Sequence, residues 1–507
     1  MFSKVVSKLR EVYRRAFDIR PAQRYLSAAI NRLTGEWSTR PLTPVQELRG
    51  KTRILRARSR ALDNDDDYFR RFVGHVEANV IGSQGIQLQM RMVNVRGRVE
   101  TETNRAVERA FARWCRPENL TVTGMHSWRS FLGLAMRTLV VDGECFIRFV
   151  PSANDYLLSL QLISADWVDE QFIGKAENGQ RVLMGIEVDD YDRPTAYYIA
   201  PPRNSNPAEL TASWERGSAG TNHIRIPADQ MIHLFVQRKI GQVRGVPFAH
   251  TAIRRLQMLE GYEEAELVQA RIAACQMAIL EQSDDALIDR KGDVALPQEI
   301  APASIWTLPS GYQLKEFKPN APHATYSEYI KAVLRGVASG LGVTYHALSG
   351  DLESVNYSSA RIGSLEERDI WRSLQALLIE RVCQPVFERW LLSALGTPAL
   401  PIDPARYATL IEGAHWLPRG WDWVDPEKDA NANLLALTAG LKTRGEICAE
   451  RGRDFEQVLL DLAEERRLVE ELGLSDILSP TVSSSSVSAP PAVSATTVAA
   501  AAAGTGN

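Results

Sequence analysis

The chain has 507 residues, 45% of them hydrophobic and 24% charged, enough apolar mass to bury more than one core and, by length, to form roughly two to four domains. No run of about 18 uncharged apolar residues occurs, which argues against a membrane span, and the opening MFSKVVSKLREVYRRAF has scattered basic residues and no apolar block, which argues against a signal peptide. The net charge of −3 hides an asymmetry: residues 1–60 hold 15 Lys or Arg against Glu11, Asp18, Glu36 and Glu47, a balance of +11 that leaves −14 for the rest.

A basic arm on an acidic body suits nucleic acid, an acidic partner or a neighbouring copy, although a solvated arm lying on acidic surfaces explains it as simply. Helical periodicity begins at Tyr68–Ile81, and GSQGIQLQ after it turns into a strand. Further helices are predicted over Glu102–Trp114 and Trp128–Val141, the second ending at Asp142-Gly143. The pattern then changes to period two. Cys145, Ile147 and Phe149 alternate, Leu158, Leu160 and Leu162 share a face, GIEV-DDYDRP-TAYYIA reads as a hairpin, and HIRIPADQMIHLFVQ adds one or two strands.

Pro247 opens a long helical pattern of about 34 residues, a rod near 50 Å, with Glu260, Glu263, Glu264 and Glu266 at exposed positions. Residues 284–322 are short and mixed, and IWTLPSGYQLKEF suggests a small hairpin. A second rod follows with Tyr326, Tyr329, Ile330, Val333, Leu334, Val337, Ala338 and Leu341 on one face, opened by a capping box of Thr325 with Glu328. The polar segment LSGDLESVNYSSAR, Leu348 to Arg361, reads as a loop. Beyond it Ile362, Leu365, Trp371, Leu374, Leu378, Val382, Phe387 and Trp390 continue a helix that Pro385 should kink. After Leu400 come Trp416, Trp421 and Trp423, a helix start at Asp425-Pro426, and capping boxes of Thr443 with Glu446 and of Asp454 with Gln457, in helices ending near Gly473. From Thr481 onward no residue is charged, and such a tail is expected to be disordered.

Enzyme motifs fail one by one. Gly50-Lys51-Thr52 matches the end of a Walker A loop, but Val45 stands where the first glycine is required. Asp63, Asp65, Asp66 and Asp67, and Asp189, Asp190 and Asp192, could serve a metal-dependent DNA nuclease, yet both clusters sit at turn signals, where aspartate caps helices and closes hairpins. Asp142-Gly143-Glu144 is followed by Cys145 and Phe146 rather than by the lysine a common nuclease motif requires. Histidines lack HExxH spacing, and His75 and His233 lie in apolar patterns that suit a core. Cys115, Cys145, Cys275, Cys383 and Cys448 are scattered with no CxxC, which suits free thiols in a reducing cytosol; Cys275 is expected to be buried in a helix. No catalytic residue, metal ligand or cofactor motif emerges, and the chain reads as a machine part.

Six stretches in order carry a resemblance: RARSRALDNDDDYFRRFVGHVEANVIGSQGIQLQ (56–89), SFLGLAMRTLVVDGECFIRF (130–149), LQLISADWVDE (160–170), QVRGVPFAHTAIRRLQMLEGYEEAELVQARIAA (242–274), GLGVTYHALSGDLESVNYSSARIGSLE (340–366) and WVDPEKDANANLLALTAGLKTRGEICAERGRD (423–454). Over roughly residues 45–475 the chain resembles the lambda-type portal proteins of tailed bacteriophages. Departures are the acidic run Asp65–Asp67, where relatives often have Asn and Pro, and the terminal tail. The resemblance implies an α+β portal-protein fold with a basic N-terminal arm (1–59), a mixed wing (60–246), stem helices (247–282 and 323–344), a clip (283–322), a tunnel loop (345–361), a long kinked helix (362–399), a helical crown (400–475) and a disordered tail (476–507).

It also implies a ring, usually of twelve subunits, at one capsid vertex of the virion, assembled in the host cytoplasm. Double-stranded DNA would pass through the channel, with a terminase motor, capsid and scaffold proteins, and a head-completion or connector protein as partners. Ser354, Asn356, Tyr357, Ser358, Ser359 and Arg361 are then the expected DNA contacts, weak and sequence-independent. Asp284, Asp285, Asp289, Arg290 and Lys291 are the expected docking surface of the clip. The rival readings are the metal-dependent nuclease and a tail ring that does not handle DNA.

Overall fold

The computed structural model describes residues 40–92, 100–200, 223–274, 278–282, 312–316, 326–353, 356–421 and 426–472. The first compact unit runs to Ile86 and resumes from Met90 to Ala414. It opens with α1 (Pro44–Leu48), α2 (Thr52–Asp65) and α3 (Asp67–Val80); after β1 (Gln87–Met90) come α4 (Thr101–Trp114), α5 (Pro117–Leu120) and α6 (Trp128–Asp142). Strands follow as β2 (Glu144–Pro151), β3 (Leu158–Ile163), β4 (Gly174–Lys175), β5 (Arg181–Leu183), β6 (Ile186–Val188), β7 (Pro194–Ile199), β8 (Ile224–Pro227) and β9 (Met231–Phe235). Next are α7 (Ile253–Ala274), β10 (Ala278–Gln282), β11 (Tyr312–Glu316), α8 (Tyr326–Leu341), α9 (Tyr345–Ser349), α10 (Tyr357–Leu378), α11 (Gln384–Ala394) and α12 (Tyr407–Glu412).

β2 lies between β3 and β9 in a three-stranded antiparallel sheet, and β4 to β8 form a five-stranded antiparallel meander. Cys145, Phe146 and Ile147 are all buried, so the central strand is covered on both faces and its apolar run is continuous rather than alternating. A buried charge cluster ties these layers to α2. Glu144 is fully buried and accepts from Arg244 Nη2 at 2.6 Å, Arg56 Nη1 at 3.1 Å and the Gly245 N–H at 2.9 Å, with His233 Nε2 at 3.1 Å. Arg56 reaches Asp166 at 3.0 Å and Glu170 at 3.1 Å, and Arg244 donates to the carbonyls of Met184 and Ala165. Burial works against ionisation, but the Arg244 guanidinium and His233 hold the Glu144 carboxyl well below the usual range.

The N-terminal region therefore differs from a solvated arm at its end. The expected boundary at residue 59 falls inside α2, and Arg56 is a core residue because three carboxylates neutralise its guanidinium. Residues 1–39 of the expected arm lie outside the described residues.

The first rod is shorter than its pattern. α7 ends at Ala274, and Ala278–Gln282, expected to be helical, is a strand paired antiparallel with β11. The strand of the expected small hairpin thus pairs with a segment about 30 residues earlier in the chain, a β-bonding partner that periodicity cannot see. α8 crosses the start of α7 closely at glycines: Gly340 O accepts from Thr251 Oγ1 at 3.2 Å, and a Cβ on Gly336 would lie 2.3 Å from Arg255 Nη1. Tyr262 of α7 meets Tyr329 of α8 at 4.9 Å between ring centroids.

Pro385 sits at the start of α11, directly after a π-turn at Ile379–Cys383. The Gln384 N–H reaches the Ile379 carbonyl, an i to i−5 bond, so the helix shifts register where proline has no N–H to offer. α12 belongs to this first unit, with Tyr407 OH donating to Glu388 O at 3.3 Å, although residues 400–414 were expected in the crown.

The second unit comprises Gln87–Gln89 and the chain from His415. In it β1 pairs with β12 (Ala414–Leu417), followed by α13 (Pro426–Thr438), α14 (Arg444–Glu450) and α15 (Phe455–Glu471). Thr443 and Glu446 form the expected capping box. Asp454 caps α15 through the Glu456 N–H, while Gln457 donates to Asp461 instead of completing a box. The Thr325 cap, Trp423, Asp425 and the tail lie outside the described residues.

Removing Arg244 leaves Glu144 buried with fewer donors, so Arg244→Met should lower stability by about 3–5 kcal/mol in urea denaturation, and adding Glu144→Gln should recover part of the loss. An Arg244→Met variant within 1 kcal/mol of wild type would show that the cluster is dispensable.

Candidate functional site

The segment from Thr344 to Asn356 joins the second rod to the long helix, and its first half is rooted in the core. Thr344 is the N-cap of α9, accepting from the Ala347 N–H at 3.3 Å, while its own N–H and hydroxyl donate to Glu367 Oε1 of α10 at 2.7 and 2.6 Å. Glu367 is buried, with His75 Nε2 of α3 within 3.5 Å of its other oxygen. Burial opposes its charge, yet His75 and Thr344 hold its carboxyl below the usual range. Gly350 ends α9 at a φ of +76°, the left-handed conformation that glycine adopts without cost, and Arg71 donates to Ala347 O at 2.9 Å beside it.

Past Gly350 the chain turns on side-chain bonds. Asp351 accepts from Tyr345 OH and from the Glu353 N–H, both at 3.0 Å, and its own N–H donates to Ser349 Oγ at 3.1 Å. Lys331 of α8 lies 3.4 Å from Asp351 and 3.5 Å from Glu353. The bond from the Glu353 N–H and then that from Tyr345 lower the Asp351 carboxyl below its ordinary range. The projecting part is exposed at Leu352, Glu353 and Asn356.

The expected DNA-contacting residues divide unequally. Asn356 immediately precedes α10, at the position where asparagine favours helix starts, whereas Tyr357, Ser358, Ser359 and Arg361 lie in α10 itself. The loop is thus shorter than the predicted Leu348–Arg361 at both ends. YSSAR forms the first turn of α10 although serine favours caps and turns, and Leu348-Ser349 closes α9. Arg361 is half-buried. Ser354 and the clip residues Asp284, Asp285, Asp289, Arg290 and Lys291 lie outside the described residues, as does Cys275.

The anchors Lys331, Thr344, Asp351 and Glu367 were not singled out from sequence. A signal existed in Gly342 followed by Thr344, a helix stop and a new N-cap in three residues. The aspartates that a nuclease would need have other work: Asp63 pairs with Arg137 at 2.7 Å, Asp66 caps α3 through the Phe69 N–H at 2.6 Å, and Asp189 accepts from the N–H groups of Tyr191 and Arg193 in the β6–β7 turn. His233 is buried against Glu144, and among the described residues no group of three or more His, Cys, Asp or Glu could hold a metal.

Glu367→Ala removes two charge-assisted bonds and should cost about 1.5–3 kcal/mol. Hydrogen exchange in the peptide spanning 344–353 should rise while α6 and β2 keep their protection; unchanged exchange there would remove Glu367 as the anchor.

A family model described as phage portal protein, lambda family, matches residues 31–375. A probable portal protein of Halomonas phage phiHAP-1 is 32% identical over 429 residues, which cover 83% of this chain and 81% of that protein. Portal protein B of Escherichia phage lambda is 22% identical over 364 residues, 64% of this chain and 66% of the relative. Among solved structures, a chain from the neck of a native GTA particle computed with C12 symmetry aligns with a TM-score of 0.46 at 13% identity, covering 80% of this chain and 94% of that one. On the strength of the family match and the Halomonas phage relative, the chain belongs to the lambda family of phage portal proteins.

Proposed function

We propose that twelve copies of the chain form a closed ring at the portal vertex of the capsid, through which double-stranded DNA is packaged and later ejected. The observation that carries this reading is the family match over residues 31–375, which contains the whole anchored segment from Thr344 to Asn356. The protein acts as a conduit, with no catalytic step of its own, and is assembled in the host cytoplasm with capsid and scaffold proteins.

A conduit must touch its cargo without trapping it, because every phosphate neutralised by Lys or Arg adds affinity that translocation has to overcome. The anchored segment suits that demand. Lys331 is engaged by Asp351 and Glu353, so the projecting residues offer acid and neutral polar groups rather than cations. In this reading Ser354, Asn356 and the first turn of α10 (Tyr357, Ser358, Ser359) lie nearest the duplex, with Arg361 behind them. The clip residues Asp284, Asp285, Asp289, Arg290 and Lys291 dock the terminase motor first and a head-completion protein afterwards, a change of partner that charge complementarity at one surface permits.

The ring is tested by electron microscopy of the purified protein: top views should show a closed ring with a central hole about as wide as a duplex. Open filaments or monomers would overturn it. On such rings, charge reversal at Asp284, Asp285 and Asp289 should abolish motor binding without breaking the ring.

The loop has its own test. Asn356→Ala with Tyr357→Ala should lower the yield of packaged genomes several-fold while ring formation persists, and normal packaging and retention would remove these residues from the DNA path.

A further inference from the structure

A second region of the first unit gathers positive charge on one face. Along α4, Arg105, Arg109 and Arg113 recur at every fourth position, about 6 Å apart along the axis on one exposed face, and Arg116 follows directly after the helix. Among the described residues no ion pair or hydrogen bond engages any of these four guanidinium groups. The acids nearest in sequence do not neutralise them: Glu108 accepts from the Met90 N–H at 2.7 Å, and Glu102 and Glu118 stand exposed at either end.

The stripe runs into a cleft of about 520 Å³ lined by Arg113, Arg116, Asn119, Asp155, Tyr156 and the Pro398-Ala399 turn. Tyr156 is only 3% exposed, its ring packs 6.0 Å from that of Trp390, and its hydroxyl makes no hydrogen bond among the described residues. A phenol held this firmly in a cleft that Arg113, Arg116 and Asp155 also line is a donor waiting for an acceptor. Asn119 donates one Nδ2 hydrogen to Arg113 O at 3.1 Å, which ties the cleft floor to the end of α4.

We infer that α4 and this cleft bind the phosphate backbone of nucleic acid, independently of sequence, at a contact distinct from the Asn356–Ser359 segment. The guanidinium fork matches phosphate oxygens in bidentate geometry, and four arginines along about 16 Å span several phosphates of one strand. An acidic protein segment is the competing ligand: from Thr101 to Asn119 the arginine face exposes no large hydrophobic anchor, Val122, Met125 and Leu157 are exposed in the segments beyond it, and the polyglutamate arm below separates the two ligands.

The experiment uses the full-length protein and fluorescence anisotropy with two unrelated 30-base-pair duplexes and a polyglutamate peptide. Replacing Arg105, Arg109, Arg113 and Arg116 together by Ala should weaken binding to both duplexes at least about tenfold at low salt and reduce the salt-dependence slope by about 3 to 4. Replacing all four by Lys should keep most of the affinity, and Tyr156→Phe, which deletes one hydroxyl from an intact core, should weaken it a few-fold. Unchanged duplex affinity and slope in the alanine variant would overturn the inference, as would tighter binding of polyglutamate than of either duplex. Combining the four Arg→Ala replacements with Asn356→Ala and Tyr357→Ala should lower duplex affinity by the product of the two separate effects, which distinguishes the two DNA contacts.

Discussion

The fold of the first unit depends on one buried carboxylate. Glu144 opens the central strand of the three-stranded sheet and meets Arg244, Arg56 and His233, which come from the segment leading to the first rod, from α2 and from β9. A charge in that position is tolerable only because its partners satisfy it fully, and each partner is equally constrained, since Arg244 is itself completely buried. The geometry around it admits no side chains. A Cβ on Gly245 would lie 2.0 Å from the Gly143 carbonyl oxygen, and Gly143 has a φ of +87°, so Asp142-Gly143-Glu144 and Arg244-Gly245 fit together only as glycine-flanked ions. The segment Asp142-Gly143-Glu144 is therefore an architectural element, and its fragmentary likeness to a nuclease motif has a structural explanation.

From this cluster the chain enters Phe248–Thr251 and α7, so whatever fixes Arg244 also sets the direction in which the first rod leaves the sheets. The second rod is held to it by glycine contacts and by the edge-on packing of Tyr262 against Tyr329, and is tied to α10 through Thr344 and Glu367. His75 on α3 and Glu367 on α10 connect that return point to the helices that carry Arg71 and Gln375, the latter donating to Val80 O at 3.2 Å. The exposed segment that follows is thus short and stiff at its root. Such a segment keeps its shape on its own, because its hydrogen bonds are internal to the protein.

Much of the local structure was legible in sequence because its determinants are local. Helices α3, α4, α6 and α8 lie within a residue or two of their periodicities, Gly143 ends α6 as read, and the Thr443–Glu446 box is present. The misreadings share one cause, which is that the deciding interaction came from elsewhere in the chain. Ala278–Gln282 has the composition of a helix continuation but is captured by β11; Arg56 looks like one more charge of a basic arm but is neutralised by carboxylates at positions 144, 166 and 170; YSSAR looks like loop but joins the helix that its neighbours begin.

The sequence by itself determined that this is a lambda-family portal protein, since the family match over residues 31–375 and the Halomonas phage relative rest on sequence alone, and it determined the helix starts and stops, whose caps are bonds within a few residues. The tertiary structure alone decided which charges are structural and which are available. Arg56 and Arg244 are indistinguishable in sequence from Arg105, Arg109 and Arg113, yet the first two are spent on Glu144 in a desolvated network and the other three face solvent. The reason is physical: a charge acquires its meaning from the dielectric and the partners around it, and both are supplied by residues tens to hundreds of positions away.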